Sequence, residues 1–296
     1  MARYRIHHKT SCFYNYPVIA SYHSAKLKPI SNESQSCERF KLKIQPNSQD
    51  LSERIDYFDN AMAMFSIQES HDKLTVEAES IVTTTKRAVD LTTLDTSCGY
   101  LRSSFKDVTR TDIIDAKQFV HPTEITPIFP EVTDFGMRFF KDEIPIGKAL
   151  LEILNCFKNE FEFDSTATEV NTPSSEVLQN KRGVCQDYAH LMISAMRACG
   201  LSCRYASGYI LTMPPEGMPR LIGADASHAW VSVFVPGIGW VDLDPTNNCV
   251  CADQHVCIGY GRDYSDVSML KGAVTGGGDH QLSVEVTMEP IDPSQP

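Results

Sequence analysis

A cysteine, a histidine and an aspartate stand in an order that could support covalent acyl chemistry. Cys185 opens the run Gln186-Asp187-Tyr188-Ala189-His190-Leu191, and His228 follows about 43 positions later in Ser227-His228-Ala229-Trp230-Val231. Asp244 closes the segment Trp240-Val241-Asp242-Leu243-Asp244. A thiolate can attack an amide carbonyl, an imidazole can carry the proton to the leaving amine, and a carboxylate can fix the imidazole tautomer. Taken singly, a cysteine is more often a core residue and a strand histidine more often structural. The trio together is a candidate site.

Three elements must position these side chains. The spacing of Ala189, Met192, Ile193 and Met196 predicts one helix from Gln186 onward, with Gly200 as its stop. Arg182 and Gly183 break whatever precedes, Gly183 being suited to the positive φ of a tight turn. Cys185 then sits at a helix mouth, where unpaired N–H groups and the dipole favour a thiolate. Along 227–235 the residues alternate, with Val231, Val233 and Val235 on one face and His228, Trp230 and Ser232 on the other. Pro236-Gly237-Ile238-Gly239 reads as a hairpin turn, and the return strand places Asp244 near His228, to within a residue or two. His190 lies five positions beyond Cys185, more than about 100° around the helix, and is poorly placed to serve it as a base.

The first hundred residues alternate repeatedly and read as an antiparallel β module. Expected strands are a hairpin over 3–20, then 39–44, 63–67, 74–78 and 80–85, with turns at 46–48 and 59–60. Its histidines, His7, His8, His23 and His71, are expected on surfaces or edges. Beyond a proline-marked crossing segment, helices are expected near 113–119, 132–140 and 146–161. A short helix should begin near Ser174, capped by Thr172 or Ser174, and a strand should run over 203–211. Met213–Gly223, with three prolines and two glycines, followed by Gly223-Ala224-Asp225, reads as a polar rim overhanging the site.

A net charge of −11 argues against a nucleic-acid surface and against anionic membranes. Apolar content of 42% and charged content of 22% are those of an ordinary globular protein. No export signal and no apolar run of about 18 residues is visible, so the ten scattered cysteines are expected as reduced thiols in the cytoplasm. Cys249, Cys251, His255 and Cys257 cluster in sequence, but C-x-C followed by C is a poor match to zinc knuckles, and no metal or other cofactor is expected.

These stretches resemble the transglutaminase-like superfamily of papain-like thiol enzymes, in its bacterial branch. The resemblance rests on Glu176-Val177-Leu178, Arg182-Gly183-Val184-Cys185-Gln186-Asp187, Arg204-Tyr205-Ala206-Ser207-Gly208-Tyr209, His228-Ala229-Trp230-Val231, Gly239-Trp240-Val241-Asp242-Leu243-Asp244-Pro245-Thr246 and Gly261-Arg262-Asp263-Tyr264. Asp56-Tyr57-Phe58-Asp59-Asn60 and the stretch from His71 to Val76 look like the β domain preceding the core in that branch, where glycine more often stands in place of Asp59. The resemblance implies an α+β fold: an N-terminal antiparallel β domain over 1–105, a transglutaminase-like core over 106–270 with the nucleophile helix packed on an antiparallel sheet, and a tail over 271–296 with one strand. It implies Cys185 as nucleophile, His228 as base and then acid, and Asp244 as the orienting carboxylate. Gln186, Tyr209 and Trp230 are expected along the substrate cleft. The backbone N–H of Cys185 is expected as one oxyanion donor, with the second unassigned. The implied activity is cleavage of a peptide or isopeptide bond through a thioester, on a peptide or protein substrate. Protein-glutamine acyl transfer and a non-catalytic binding module are the alternatives, and oligomeric state is left open.

Overall fold

The computed structural model describes residues 1–107, 109–164, 172–212 and 227–292. The rim segment 213–226 lies outside them. The chain opens with five antiparallel strands: β1 (Ala2–Ala25), β2 (Gln35–Gln45), β3 (Asp50–Ile55), β4 (Ala61–Ile67) and β5 (His71–Thr84). The expected hairpin over 3–20 is instead one unbroken strand. Pro17 falls in the irregularity where β1 changes partners: β5 pairs with it up to Phe13 and once more at Val18, and β4 pairs with it from Ser21. The expected strands 74–78 and 80–85 likewise merge into β5, and β3 carries too little alternation to be read in advance.

Helices follow: α1 (Cys98–Ser104), α2 (Thr111–Lys117), α3 (Pro130–Met137) and α4 (Ile146–Glu160). The last buries Ile146, Ala149, Leu150, Ile153, Leu154 and Phe157, the i, i+3, i+4 stripe of a core-facing helix. The two-residue β6 (Glu162–Phe163) pairs in parallel with β7 (Arg182–Gly183), on either side of α5 (Ser174–Asn180). Neither Thr172 nor Ser174 caps α5, which starts from Pro173. The left-handed residue before Cys185 is Lys181 (φ 54°) rather than Gly183, since β7 holds Gly183 extended. Lys181 is held there by its N–H to Val177 and by its ammonium, 4.3 Å from the centre of the Phe161 ring.

The core sheet follows α6 (Cys185–Ala198) and comprises β8 (Cys203–Ile210), β9 (Ser227–Val235), β10 (Gly239–Asp244), β11 (Cys249–Val250) and β12 (His255–Gly261), in the order β11-β10-β9-β8-β12. One face of β9, with Ala229, Val231, Val233 and Val235, packs into the cluster that holds Ala189, Met192, Ile193 and Met196 of α6. His228 and Trp230 therefore look the other way.

After the one-turn α7 (Tyr264–Val267), the chain returns to the first sheet. Both β13 (Leu270–Gly276) and β14 (His280–Pro290) pair antiparallel with β1. The stretch expected as a tail with one strand thus completes the N-terminal sheet, which is built from both ends of the chain. Tyr4, Ile6, Val82, Val286 and Met288 from this sheet bury against Tyr209, Val256 and Ile258 of the core sheet. The free edge of β12 is covered by two side-chain amides. Gln35 pairs with the backbone N–H and C=O of Cys257, and Asn60 does the same for Tyr260. Asp59, just before Asn60, has φ 64°, the conformation that glycine adopts without cost.

Candidate functional site

The site begins with the entry to α6. Asp187, at the third helical position, accepts from the Val184 N–H at 2.8 Å. A carboxylate there offsets the positive helix end and pins the turn that carries Cys185. Cys185 is half-buried, and the first-turn N–H groups have no intrahelical acceptor.

β9 and β10 bring the other two residues together. Leu243 pairs with Val231, so Asp244 comes opposite Trp230 and diagonal to His228 on one face. His228 Nε2 donates to Asp244 Oδ2 at 2.7 Å. That leaves Nδ1 as the free ring nitrogen, and Cys185 lines the same cavity as His228. Burial alone would depress the His228 pKa; the bond to Asp244 and the neighbouring Cys185 thiol outweigh it and raise it to about 10. Burial likewise opposes ionisation of Asp244, but the bonds from His228 and His255 hold its carboxyl well below the usual carboxylate range.

Asp244 is anchored further than the sequence suggested. Its Oδ1 accepts from the N–H groups of Thr246 and Asn247, and its Oδ2 accepts from the Asn247 amide at 2.7 Å and from His255 Nε2 at 3.1 Å. His255 stands close in sequence to Cys249, Cys251 and Cys257, yet its ring turns to Asp244. Among the described residues the only metal-sized group of His, Cys, Asp and Glu is His228, Asp244 and His255, so those cysteines do not assemble one. The role of Asn247 had a signal available in sequence: it sits three residues past the aspartate, where side chains fold back onto a carboxylate.

The three expected cleft residues separate. Gln186 lines a cavity of about 340 Å³ beside Cys185 and His228. Tyr209 and Trp230 do not line it. Tyr209 is buried between the sheets, its hydroxyl 3.0 Å from His8 Nδ1. Trp230 is wholly buried, its ring centre 6.1 Å from that of His228 and 5.5 Å from that of His255. It lies over the bare backbone of Gly208, where a Cβ would come within 2.5 Å of the indole. His190 is also buried; it accepts from the Tyr264 N–H and takes no part in the cluster.

The cavity's far wall comes from the N-terminal sheet, which the sequence gave no reason to place there. His8, Thr10, Cys12 and Tyr14 of β1 face it, beside Leu282 and Val284 of β14. His8, His23 and His71, expected at surfaces or edges, are all buried: His8 lies against Tyr209 of the core sheet, His23 stacks on Phe65, and His71 makes an edge contact with Tyr14.

A mixed α+β chain with a helix-borne cysteine against an antiparallel sheet defines the papain-like class of folds. The chain belongs to the transglutaminase-like superfamily. The model of that superfamily matches residues 138–245, and the bacterial transglutaminase-like N-terminal region matches residues 4–83. An uncharacterized protein of Mycobacterium tuberculosis is 32% identical over 98% of this chain and 93% of its own length. A protein-glutamine gamma-glutamyltransferase of Pseudomonas aeruginosa is 30% identical over 33% of this chain and 15% of its own length. A solved structure from Cytophaga hutchinsonii named "Putative Cysteine Protease" superposes with a TM-score of 0.78 at 19% identity, over 100% of this chain and 92% of its own. No helix among the described residues is long and apolar enough to cross a membrane.

Proposed function

We propose that this protein is a thiol-dependent amidohydrolase that cleaves a peptide or isopeptide bond through a thioester acyl-enzyme. The observation that carries this reading is His228, pinned to Asp244 by one nitrogen and lining one cavity together with Cys185. A cationic imidazole beside a thiol is the partner a thiolate needs. In the first step the Cys185 sulfur bonds to the carbonyl carbon, His228 gives its proton to the leaving amine, and the amine departs. In the second, His228 takes a proton from water, the hydroxide adds to the thioester carbonyl, and acid and thiol are released. Asp244 keeps Nε2 protonated throughout, and the Cys185 N–H at the helix start is one oxyanion donor.

Water is the acceptor in this reading. Gln186, Ser207 and Ser227 place polar groups beside the nucleophile, on a lining otherwise largely apolar through Met269, Leu270, Val274, Leu282 and Val284. Ten free cysteines, without a disulfide among the described residues, fit a reducing compartment such as the cytoplasm. The test is product partitioning on γ-glutamyl, isopeptide and peptide substrates at rising primary-amine concentration. Free acid should dominate throughout. Amide product dominating at millimolar amine would instead assign the protein as an acyltransferase.

A further inference from the structure

Among the described residues lining the cavity there is no aspartate, glutamate, lysine or arginine, although the chain carries 38 acidic and 27 basic residues. Its polar surface is hydroxyl, amide and imidazole. His8 is closed off, with one nitrogen 2.8 Å from Thr10 Oγ1 and the other 3.0 Å from Tyr209. His23 is not. It is 7% exposed and stacks on Phe65 at 5.0 Å, and its Nε2 has no hydrogen-bond partner among the described residues. A buried imidazole nitrogen left unpaired costs about 1–3 kcal/mol, a debt that a ligand can cancel. The opposing strand makes room for the ring: a Cβ on Gly272 would stand 2.2 Å from His23 Nδ1. Burial, reinforced by His71, lowers the His23 pKa to about 4, so the ring is neutral at physiological pH.

We propose that this cavity is the acyl-side pocket of the enzyme and that it selects an uncharged side chain, one residue in size, whose polar end hydrogen-bonds His23. The proposal rests on Cys185 acting as the nucleophile. Its volume of about 340 Å³ falls at the small end of ligand pockets, room for one aromatic or amide side chain. Leu282, Val284 and Val274 supply apolar contact; among the described lining residues an ammonium finds no carboxylate, and a carboxylate finds only the His228 imidazolium, already paired with Asp244. The preferred substrates are therefore short peptides or amides with Tyr, Gln or a similar neutral residue on the acyl side.

The test uses the full chain and aminomethylcoumarin amides of acetylated amino acids. Tyr, Gln, Phe and Leu derivatives should exceed Asp, Glu, Lys and Arg derivatives in kcat/KM by about a hundredfold. In parallel, the acetylated amino-acid amides are tested for protecting Cys185 from iodoacetamide, read by peptide mapping. Protection needs no turnover, so it judges the pocket even where the hydrolase reading fails. Charged derivatives that bind or turn over as well as neutral ones would overturn the proposal, as would absence of protection by any of them. His23→Phe keeps the ring and removes the nitrogens, and it should abolish the preference for Tyr over Phe. Gly272→Ala, in protein still folded by its melting temperature, should lower kcat/KM for the Tyr substrate about tenfold with the Cys185 alkylation rate unchanged. An unaltered Tyr-to-Phe ratio in His23→Phe would remove His23 from the pocket's selectivity.

Discussion

His255 donates through Nε2 to Asp244 Oδ2 at 3.1 Å, the same oxygen that His228 holds at 2.7 Å. The two imidazoles flank one buried carboxylate oxygen, and with the Asn247 amide they fix its direction. His255 lies on β12, two strands beyond β9 through β8, so the register of the whole core sheet converges on Asp244.

His255 is thereby a positioning residue, and its removal should act through Asp244. His255→Phe keeps the ring packed on Trp230 but leaves Asp244 one donor short. A buried hydrogen bond to a charged group is worth about 1.5–3 kcal/mol, so kcat should fall roughly ten- to a hundredfold. Alkylation of Cys185 at pH 6 should slow with it, and His255→Gln should recover part of both. Unchanged kcat and labelling in His255→Phe would reduce His255 to packing.

The histidines give stability two opposite pH slopes. His228 is raised from its ordinary 6.5 to about 10, so the folded chain keeps a proton the unfolded chain releases. Its contribution is complete below pH 6.5 and is lost as pH rises toward 10. His8, His23 and His190 are lowered by burial to about 4. Their contribution has the other sign and is lost as pH falls from 6.5 toward 4. Melting temperature should peak near pH 6.5, and between 6.5 and 8.5 its decline should flatten in Asp244→Asn. Parallel profiles for the two proteins over that window would contradict the assignment of His228.

Trp230 should matter first for stability. From sequence alone, Trp230→Ala would be expected to hurt turnover more than folding, since Trp230 shares a strand face with His228. Its complete burial reverses the order: truncation should cost about 3–5 kcal/mol in a denaturant titration. A loss below about 1 kcal/mol would place the indole at a solvent-filled site.

Much of the site was legible because it is local. Cys185 sits at a helix start defined by periodicity within α6, and His228 and Asp244 are joined by one hairpin with a recognisable turn. What escaped was non-local. β14 reaches β1 from the far end of the chain, so nothing near His8 or Thr10 signals that they wall the cavity. Tyr209 alternates onto the same kind of face as the cleft residues, yet the N-terminal sheet buries it. β1 read as a hairpin because a break in its pattern at Pro17 is indistinguishable from a turn until its partners are known.

The account turns on Cys185 being the one thiol activated by His228. Burial raises the pKa of each of the other nine cysteines, Cys37 and Cys249 among them. Limiting iodoacetamide at pH 6, followed by peptide mapping, reads this directly. Wild-type protein should carry its label almost entirely on Cys185, and His228→Ala, still folded by its melting temperature, should lose that selectivity. Uniform labelling across the cysteines, or a Cys185 rate indifferent to His228, would contradict the account.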